Sequence, residues 1–310
     1  MKSILVTGGA GFIGSHLVEE LLKQGHPVVV LDDFSSGVTR LPGATYHEVD
    51  IAEHANKRAI EDAVRNAEFV FHLAAQVGVK TCYEHPERSY RTNVIGSHNI
   101  LEACVGLGVP MLDVSSSSAY GRAENKIARE EHDIVFGDPG NKSWQYGLHK
   151  ALAEAQARNA NMQVVRLFNV VGTRQRGDYG FVVPKFINQI MSGQPVTVYG
   201  DGTQTRSFCD VRDIVQGLLL VKEKGVRGEV YNLGSEQEVE IKNLALFMMK
   251  HLGKEAEITH VPRSEAIGSD YQETLKRLPD LSKIRALGYN PQHELGESIK
   301  WIAKSEYGWV

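Results

Sequence analysis

The chain is poor in cysteine: its 310 residues include only Cys82, Cys104 and Cys209, far apart and with no CxxC pair. That excludes a disulfide scaffold and suits a reducing compartment. No apolar run approaches the roughly 18 residues that a membrane span requires. The start, Met1-Lys2-Ser3-Ile4-Leu5-Val6, leads straight into a glycine-rich turn, without the apolar stretch and small-residue cleavage site of a signal peptide. These absences predict a cytoplasmic protein with no membrane partner. Charge of one sign is lacking too. Lys plus Arg number 34 and Asp plus Glu 38, for a formal net charge of -4, too mild to imply nucleic acid or another polyanion. The 12 histidines show neither HxxxH nor HExxH spacing, so no metal site is expected. Internal repeats and low-complexity segments are also absent.

What is present is an ordinary globular composition, 42% hydrophobic and 23% charged, with 30 glycines. At about 150 residues per domain the length predicts two domains. Short β-branched runs at 3–7, 27–31, 44–49, 68–73, 109–115 and 162–168 alternate with helical stretches at 12–24, 54–65, 87–106 and 146–159. Strands separated by helix-length segments predict βαβ units, hence an α/β fold with a parallel, doubly wound sheet. The second half is less regular, with helices expected at 181–192, 211–224, 241–252 and 295–303 and strands at 196–199 and 229–233. The expected division is a dinucleotide-binding domain over 1–170, to whose sheet 209–234 returns, and a smaller α/β substrate domain over 171–310.

The first strand runs into Thr7-Gly8-Gly9-Ala10-Gly11-Phe12-Ile13-Gly14. A dinucleotide site needs a tight turn, a close backbone approach to the pyrophosphate, and a helix packed against its strand. Gly8, Gly11 and Gly14 meet those needs, with the helix N-terminus facing the phosphates. The spacing is GxxGxxG, and without a ligand it is simply a glycine-rich strand–helix turn. Asp32 ends the second strand, where an acid accepts both ribose hydroxyls and repels a 2′-phosphate, which favours NAD over NADP. Asp50 and Ile51 after the third strand, and Ala74 and Ala75 after the fourth, are candidates for the cofactor wall; each taken alone reads more readily as a plain loop residue.

A second constellation combines Ser, Tyr and Lys. Tyr146 and Lys150 stand four apart at a helix start, so both project from one face. A phenol with a reference pKa near 10 is a poor base. A cation one turn away stabilises the phenolate, and Tyr146 can then take a proton from a sugar hydroxyl. The serines of Val114-Ser115-Ser116-Ser117-Ser118-Ala119-Tyr120-Gly121 end the fifth strand, on the edge where open parallel sheets bind ligands. YxxxK alone is a weak signal; its place after GxxGxxG and a strand-end serine cluster is the stronger one.

In this combination the chain resembles the extended short-chain dehydrogenases/reductases that act on nucleotide sugars, nearest the UDP-glucose 4-epimerases. The resemblance spans essentially the whole chain: TGGAGFIGSHL, Asp32, HLAA at 72–75, Asn93 in RTNVIG, SSSSAYG, YGLHK, RLFNVVG, YGDGTQTRSF and the RLPD of 277–280. It implies Ser116 as the catalytic hydroxyl, Tyr146 as acid/base, and Lys150 as a second ligand of the nicotinamide ribose. To the cofactor set it adds Phe12, Ile13, Asp33, Ser36, Gly37, Leu73 and Asn93. For the substrate it implies Asn169 as a phosphate contact, Val77, Ser117, Arg176, Phe181, Val182, Val198 and Tyr199 along the nucleotide sugar, Arg206 and Arg277 clamping the pyrophosphate, and Asp280 on the nucleotide ribose. Guanidinium forks suit a pyrophosphate better than ammonium groups do.

Two departures matter. Where 4,6-dehydratases carry acids after the catalytic hydroxyl, and decarboxylases a Glu at the second position, this chain has Ser117 and Ser118. Yet 141–145 before Tyr146 and 268–271 before RLPD look like UDP-glucuronate decarboxylase sequences. Arg174 and Arg176 stand on a loop expected near the sugar, where they either hold a uronate carboxylate or face solvent or phosphate. His149 is expected to be a bystander. The expectation is an NAD-dependent C4 epimerase of a UDP-sugar, hexose or hexuronate. The alternatives are a decarboxylase sharing the first oxidation and, remotely, a non-catalytic NAD-binding protein. The resemblance also implies a homodimer formed through the helices at 87–106 and 146–159.

Overall fold

Alternation along the first strand sets the architecture. Ile4 and Val6 pack on one side of the sheet and Leu5 on the other, all with no exposed surface, as in a strand covered on both faces. The computed structural model describes residues 2–122, 127–177, 181–272 and 274–309. In chain order its strands are β1 (Ser3–Thr7), β2 (Val28–Asp32), β3 (Ala44–Glu48), β4 (Ala67–His72), β5 (Met111–Ser116), β6 (Ile127–Ala128) and β7 (Gln163–Leu167). There follow β8 (Asn169–Val171), β9 (Val196–Tyr199), β10 (Thr205–Asp210), β11 (Val230–Leu233), β12 (Glu238–Glu240), β13 (Ile258–Val261) and β14 (Lys276–Pro279).

Seven of these form one parallel sheet in the order β3-β2-β1-β4-β5-β7-β11. On one face lie the helices Phe12–Lys23 and Val211–Lys224, burying Leu17, Val18, Leu21, Ile214 and Leu218; on the other lie Lys57–Arg65, Ser97–Leu107 and Gln145–Asn159, burying Ile60, Val64, Ile100, Cys104 and Ala157. This is the doubly wound α/β fold that the sequence predicts. Its strand order reverses between β1 and β4, the place where such sheets bind ligands.

After Phe168 the chain leaves this sheet. β8 pairs with β10, which pairs with β14 and, antiparallel, with β12; β14 pairs with β6. A separate core of Val183, Phe186, Ile187, Val198, Leu244, Met248 and Ile302 supports this C-terminal part. Within 209–234 only β11 joins the large sheet, beside β7, while Cys209 belongs to β10. The single helix expected over 87–106 is three pieces: Pro86–Tyr90, a π-helical stretch Arg91–Gly96, and Ser97–Leu107. The widened turn carries the fully buried Asn93. Among the described residues no helix is long and apolar enough to cross a membrane.

Candidate active site

A cleft of about 500 Å³ lies along the carboxyl edge of the large sheet and continues between it and the C-terminal part. Its floor begins at the glycine turn. Gly8 has φ +71°, and a Cβ there would stand 2.7 Å from the Ala74 nitrogen. A Cβ on Gly14 would stand 2.1 Å from the Gly8 oxygen, so the helix can meet the turn only through glycine. Gly11, Phe12, Ile13 and Gly14 all line the cleft, and no side chain caps the helix they open. An uncapped helix N-terminus is an anion site by its dipole and its free N–H groups.

Asp32 ends β2 on the same wall, 7% exposed. Its Oδ2 accepts the Ala10 N–H and its Oδ1 the Phe34 N–H, both at 2.9 Å. Burial pushes its carboxyl up, and the two amides oppose this. An uncapped helix end for a pyrophosphate and an oriented carboxylate for ribose hydroxyls fit NAD. Asp33, Ser36, Leu73, Ala74 and Ala75 line the same stretch. Beneath it His72 bridges Thr7 Oγ1, at 2.7 Å from Nδ1, and Ser97 Oγ, at 2.9 Å from Nε2. Burial, helped by the Lys150 charge, pushes His72 down to about 3, so this tie is a neutral imidazole.

Ser116, Tyr146 and Lys150 meet farther along. Ser116 Oγ accepts the Ser118 N–H at 3.1 Å, which leaves its own O–H to donate. Tyr146 is half-buried. Burial pushes its phenol well up, the Cys82 thiol adds to this, and a hydrogen bond with Ser116 and the Arg277 charge pull it down. The sequence assigns that lowering to Lys150. In the structure Lys150 Nζ instead donates to the Val114 oxygen at 2.8 Å. Burial pulls its ammonium down, while Asp113, Cys82 and Glu154 hold it up.

The far wall comes from the second sheet. In the β8–β10–β14 register Asn169 pairs with Phe208 and Arg206 with Arg277, so these side chains share one face, and all four line the cleft. Two guanidinium groups on adjacent strands can grip a pyrophosphate in bidentate fashion. Asn169 Nδ2 donates to the Ser207 oxygen at 2.9 Å, and Arg277 Nη1 to Ser118 Oγ at 3.2 Å, at the serine end of the cleft. Val77, Ser117, Phe181, Val182 and Tyr199 complete the expected lining.

Other expected residues lie off this wall. Gly37 packs where a Cβ would stand 2.4 Å from Ala10 backbone. Asp50 holds the Ala52 N–H, and Ile51 is buried against Gly96. Asn93 brackets Gln76, accepting its N–H at 2.8 Å and donating to its oxygen at 2.9 Å. Val198 is wholly buried in the C-terminal core. Asp280 pairs with Arg129 at 3.0 Å and accepts the Ser282 N–H. Arg176 is exposed, donating to the Ser36 oxygen at 3.4 Å. Arg174 corrects the carboxylate idea: it has φ +67°, its N–H bonds Glu306 and its guanidinium bonds Glu19, so it braces the first helix and the C-terminal helix. His149 is buried, with Ser89 Oγ 3.0 Å from its Nδ1.

Sequence reasoning missed part of the cleft lining. The short helix Val79–Glu84 supplies Cys82 and Tyr83, and Lys142, Lys185, Gln204 and Arg263 also line the wall. The two decarboxylase-like segments touch there. Asn141 donates to the Asp270 oxygen at 3.0 Å, the Gln272 N–H to Ser143 Oγ at 2.9 Å, and Tyr83 to Asp270. Only tertiary pairing joins them, so no local spacing announces it.

This geometry has known relatives. The pattern of the NAD dependent epimerase/dehydratase family matches residues 4–234, and the chain belongs to that family. Its cofactor is NAD. Among curated proteins it is 34% identical, over 98% of this chain and 99% of the other, to a UDP-N-acetyl-alpha-D-glucosaminuronate decarboxylase of Bacillus cytotoxicus. Among solved structures it is similar to the UDP-glucose 4-epimerase of Thermotoga maritima with UDP-glucose, at TM-score 0.86, 31% identity and 99% coverage of both chains. A Thermus thermophilus UDP-glucose 4-epimerase in complex with NAD gives TM-score 0.86 at 29% identity, covering 99% of this chain and 100% of that one.

Proposed function

We propose that the protein is an NAD-dependent C4 epimerase of a UDP-sugar, with a hexose or a hexuronic acid as substrate. One observation carries this choice of reaction: among the described residues lining the cleft the only carboxylates are Asp32 and Asp33, at the glycine-turn end. Among the described residues the wall around Tyr146 offers serines and no carboxylate, which leaves Tyr146 as the proton-transferring group and no carboxylate pair for elimination.

NAD, when bound, supplies the two-electron acceptor and donor for C4. Tyr146 Oη takes the proton from O4, and the Ser116 hydroxyl donates to the oxygen as it becomes a carbonyl. Arg206 and Arg277 hold the pyrophosphate while the 4-keto sugar turns, and Tyr146 then returns the proton. A UDP-glucuronate decarboxylase-type enzyme that shares the first oxidation is the second reading. It is favoured by the pairing of 141–145 with 268–271 and the adjoining Gln272, and by the decarboxylases among the relatives.

Mass-resolved chromatography after incubation with UDP-glucose, UDP-glucuronate or UDP-N-acetylglucosamine separates the readings. A product of unchanged mass is expected. A product lighter by carbon dioxide sinks the epimerase and leaves the decarboxylase.

We further propose a homodimer through the two helical faces that leave Tyr90 48% and Leu152 46% exposed. Leu152→Glu is expected to give a monomer by light scattering; an unchanged mass would remove this face from the interface.

A further inference from the structure

Below the reacting centre lies a polar cluster that meets the cleft through Ser115, while Glu154, Arg166, Tyr120 and Asn232 lie behind its lining. Glu154 and Arg166 are 2% and 1% exposed. Arg166 Nη2 donates to Glu154 Oε1 at 2.6 Å, and Nε to Oε2 at 2.9 Å, a bidentate pair. Ser115 donates its hydroxyl to Glu154 Oε2 at 2.8 Å. The Arg166 guanidinium lies 4.3 Å from the centre of the Tyr120 ring. Tyr120 donates to Asn232 Oδ1 at 2.8 Å, and Asn232 Nδ2 donates to the oxygens of Ala128 and Asp280.

The placement is what gives this cluster a role. Ser115, Arg166 and Asn232 are direct neighbours in the β5–β7–β11 register, one row across three strands. Glu154 follows Lys150 by four residues and Tyr146 by eight, on the same helix face. Ser115 immediately precedes Ser116. One buried carboxylate is therefore bonded both to the strand end that carries the catalytic hydroxyl and, through its own helix, to the phenol and the ammonium. The other end of the row reaches the backbone that follows Arg277.

We propose that the Glu154–Arg166 pair is the positioning device of the reacting centre, fixing the helix of Tyr146 and Lys150 against the strand end of Ser116. The proposal rests on the catalytic roles given above. A buried pair is a poor source of stability, since an apolar pair of similar volume commonly replaces it at no loss. It holds one geometry, and small misplacements at a reacting centre cost up to about 100-fold in rate.

The test is the double variant Glu154→Leu/Arg166→Met, which removes both charges of the pair and leaves Asp113 as the remaining carboxylate that holds up Lys150, with Ser115→Ala as a companion that cuts the link to β5 and keeps every charge. Three quantities are measured: the melting temperature, hydrogen–deuterium exchange of residues 145–150, and kcat and KM on the UDP-sugar that the native enzyme converts. In the double variant, melting is expected to stay within a few degrees, exchange at 145–150 to rise at least about tenfold, and kcat to fall by roughly 10- to 100-fold with KM within about twofold. Ser115→Ala is expected to move exchange and kcat the same way by a smaller factor, and it decides alone if the double variant does not fold. Unchanged exchange at 145–150 in a folded variant overturns the proposal, whatever the activity. So does a parallel loss of melting temperature, kcat and KM, which marks a structural role. If the native protein converts no UDP-sugar, the epimerase reading falls by itself, and the exchange result still decides whether the pair holds the cluster.

Discussion

Tyr146→Phe is expected to lower kcat by roughly 10³-fold while leaving NAD binding unchanged, because positioned proton transfer contributes about 10²–10⁴-fold. The substitution removes one oxygen and keeps the ring, so the packing of the Gln145–Asn159 helix is retained. Single-turnover absorbance of the nicotinamide on mixing with a UDP-sugar separates the steps. The variant is expected to bind the sugar and leave the cofactor oxidised. Ser116→Ala should fall less far, since the phenol remains and what is lost is a hydrogen bond to the developing carbonyl and to the phenolate. Turnover by Tyr146→Phe within tenfold of the native enzyme would move the proton to another group. Cys82 is a weak successor. It borders the same cleft, but burial pushes its thiol up to about 12, so the thiolate is scarce at neutral pH.

What the sequence reveals follows the range of the interactions. The glycine turn, Asp32, the strand-end serines and YxxxK are local patterns. Each is set by steric or helical spacing within a few residues, and the parallel sheet brings them to one edge because its strands all point the same way. The second sheet is different. β8, β12 and β14 have three or four residues each and are held by pairing with β10, and β14 with β6 as well, so neither propensity nor periodicity signals them. Arg174 shows the same limit at one residue. Its loop position suggests a ligand contact, but a left-handed backbone and carboxylates at Glu19 and Glu306, both distant in sequence, turn it away. Asn93 appears in a motif that suggests cofactor contact, and spacing gives no hint that its buried amide brackets the Gln76 backbone. The Lys150 charge is placed correctly on its helix face, but its direction depends on the Val114 carbonyl, which spacing cannot foresee.

The two arginines of the far wall should separate by pH. Arg206→Ala and Arg277→Ala each remove a charge-assisted grip of roughly 1.5–3 kcal/mol on the pyrophosphate, so KM for the UDP-sugar is expected to rise about 10- to 100-fold in both. Arg277 does a second thing. Its charge reaches Tyr146 and pulls the phenol down against burial, from the serine end of the cleft where its guanidinium bonds Ser118. The base form of Tyr146 is the deprotonated one, so the rate of the oxidation step rises with pH as the phenol ionises. Loss of a nearby cation makes ionisation harder, so the phenol titrates at higher pH. In Arg277→Ala the rising limb of log kcat against pH is therefore expected to move to higher pH, and in Arg206→Ala to stay in place. Ser116→Ala moves it in the same direction as Arg277→Ala, because the hydrogen bond to the phenolate is lost. Arg277→Lys keeps a charge and is expected to recover the limb better than it recovers KM, since an ammonium restores the field but not the fork. Superimposable profiles for the two alanine variants would show that Arg277 acts on the pyrophosphate alone. A limb displaced in Arg206→Ala instead would exchange the roles of the two strands.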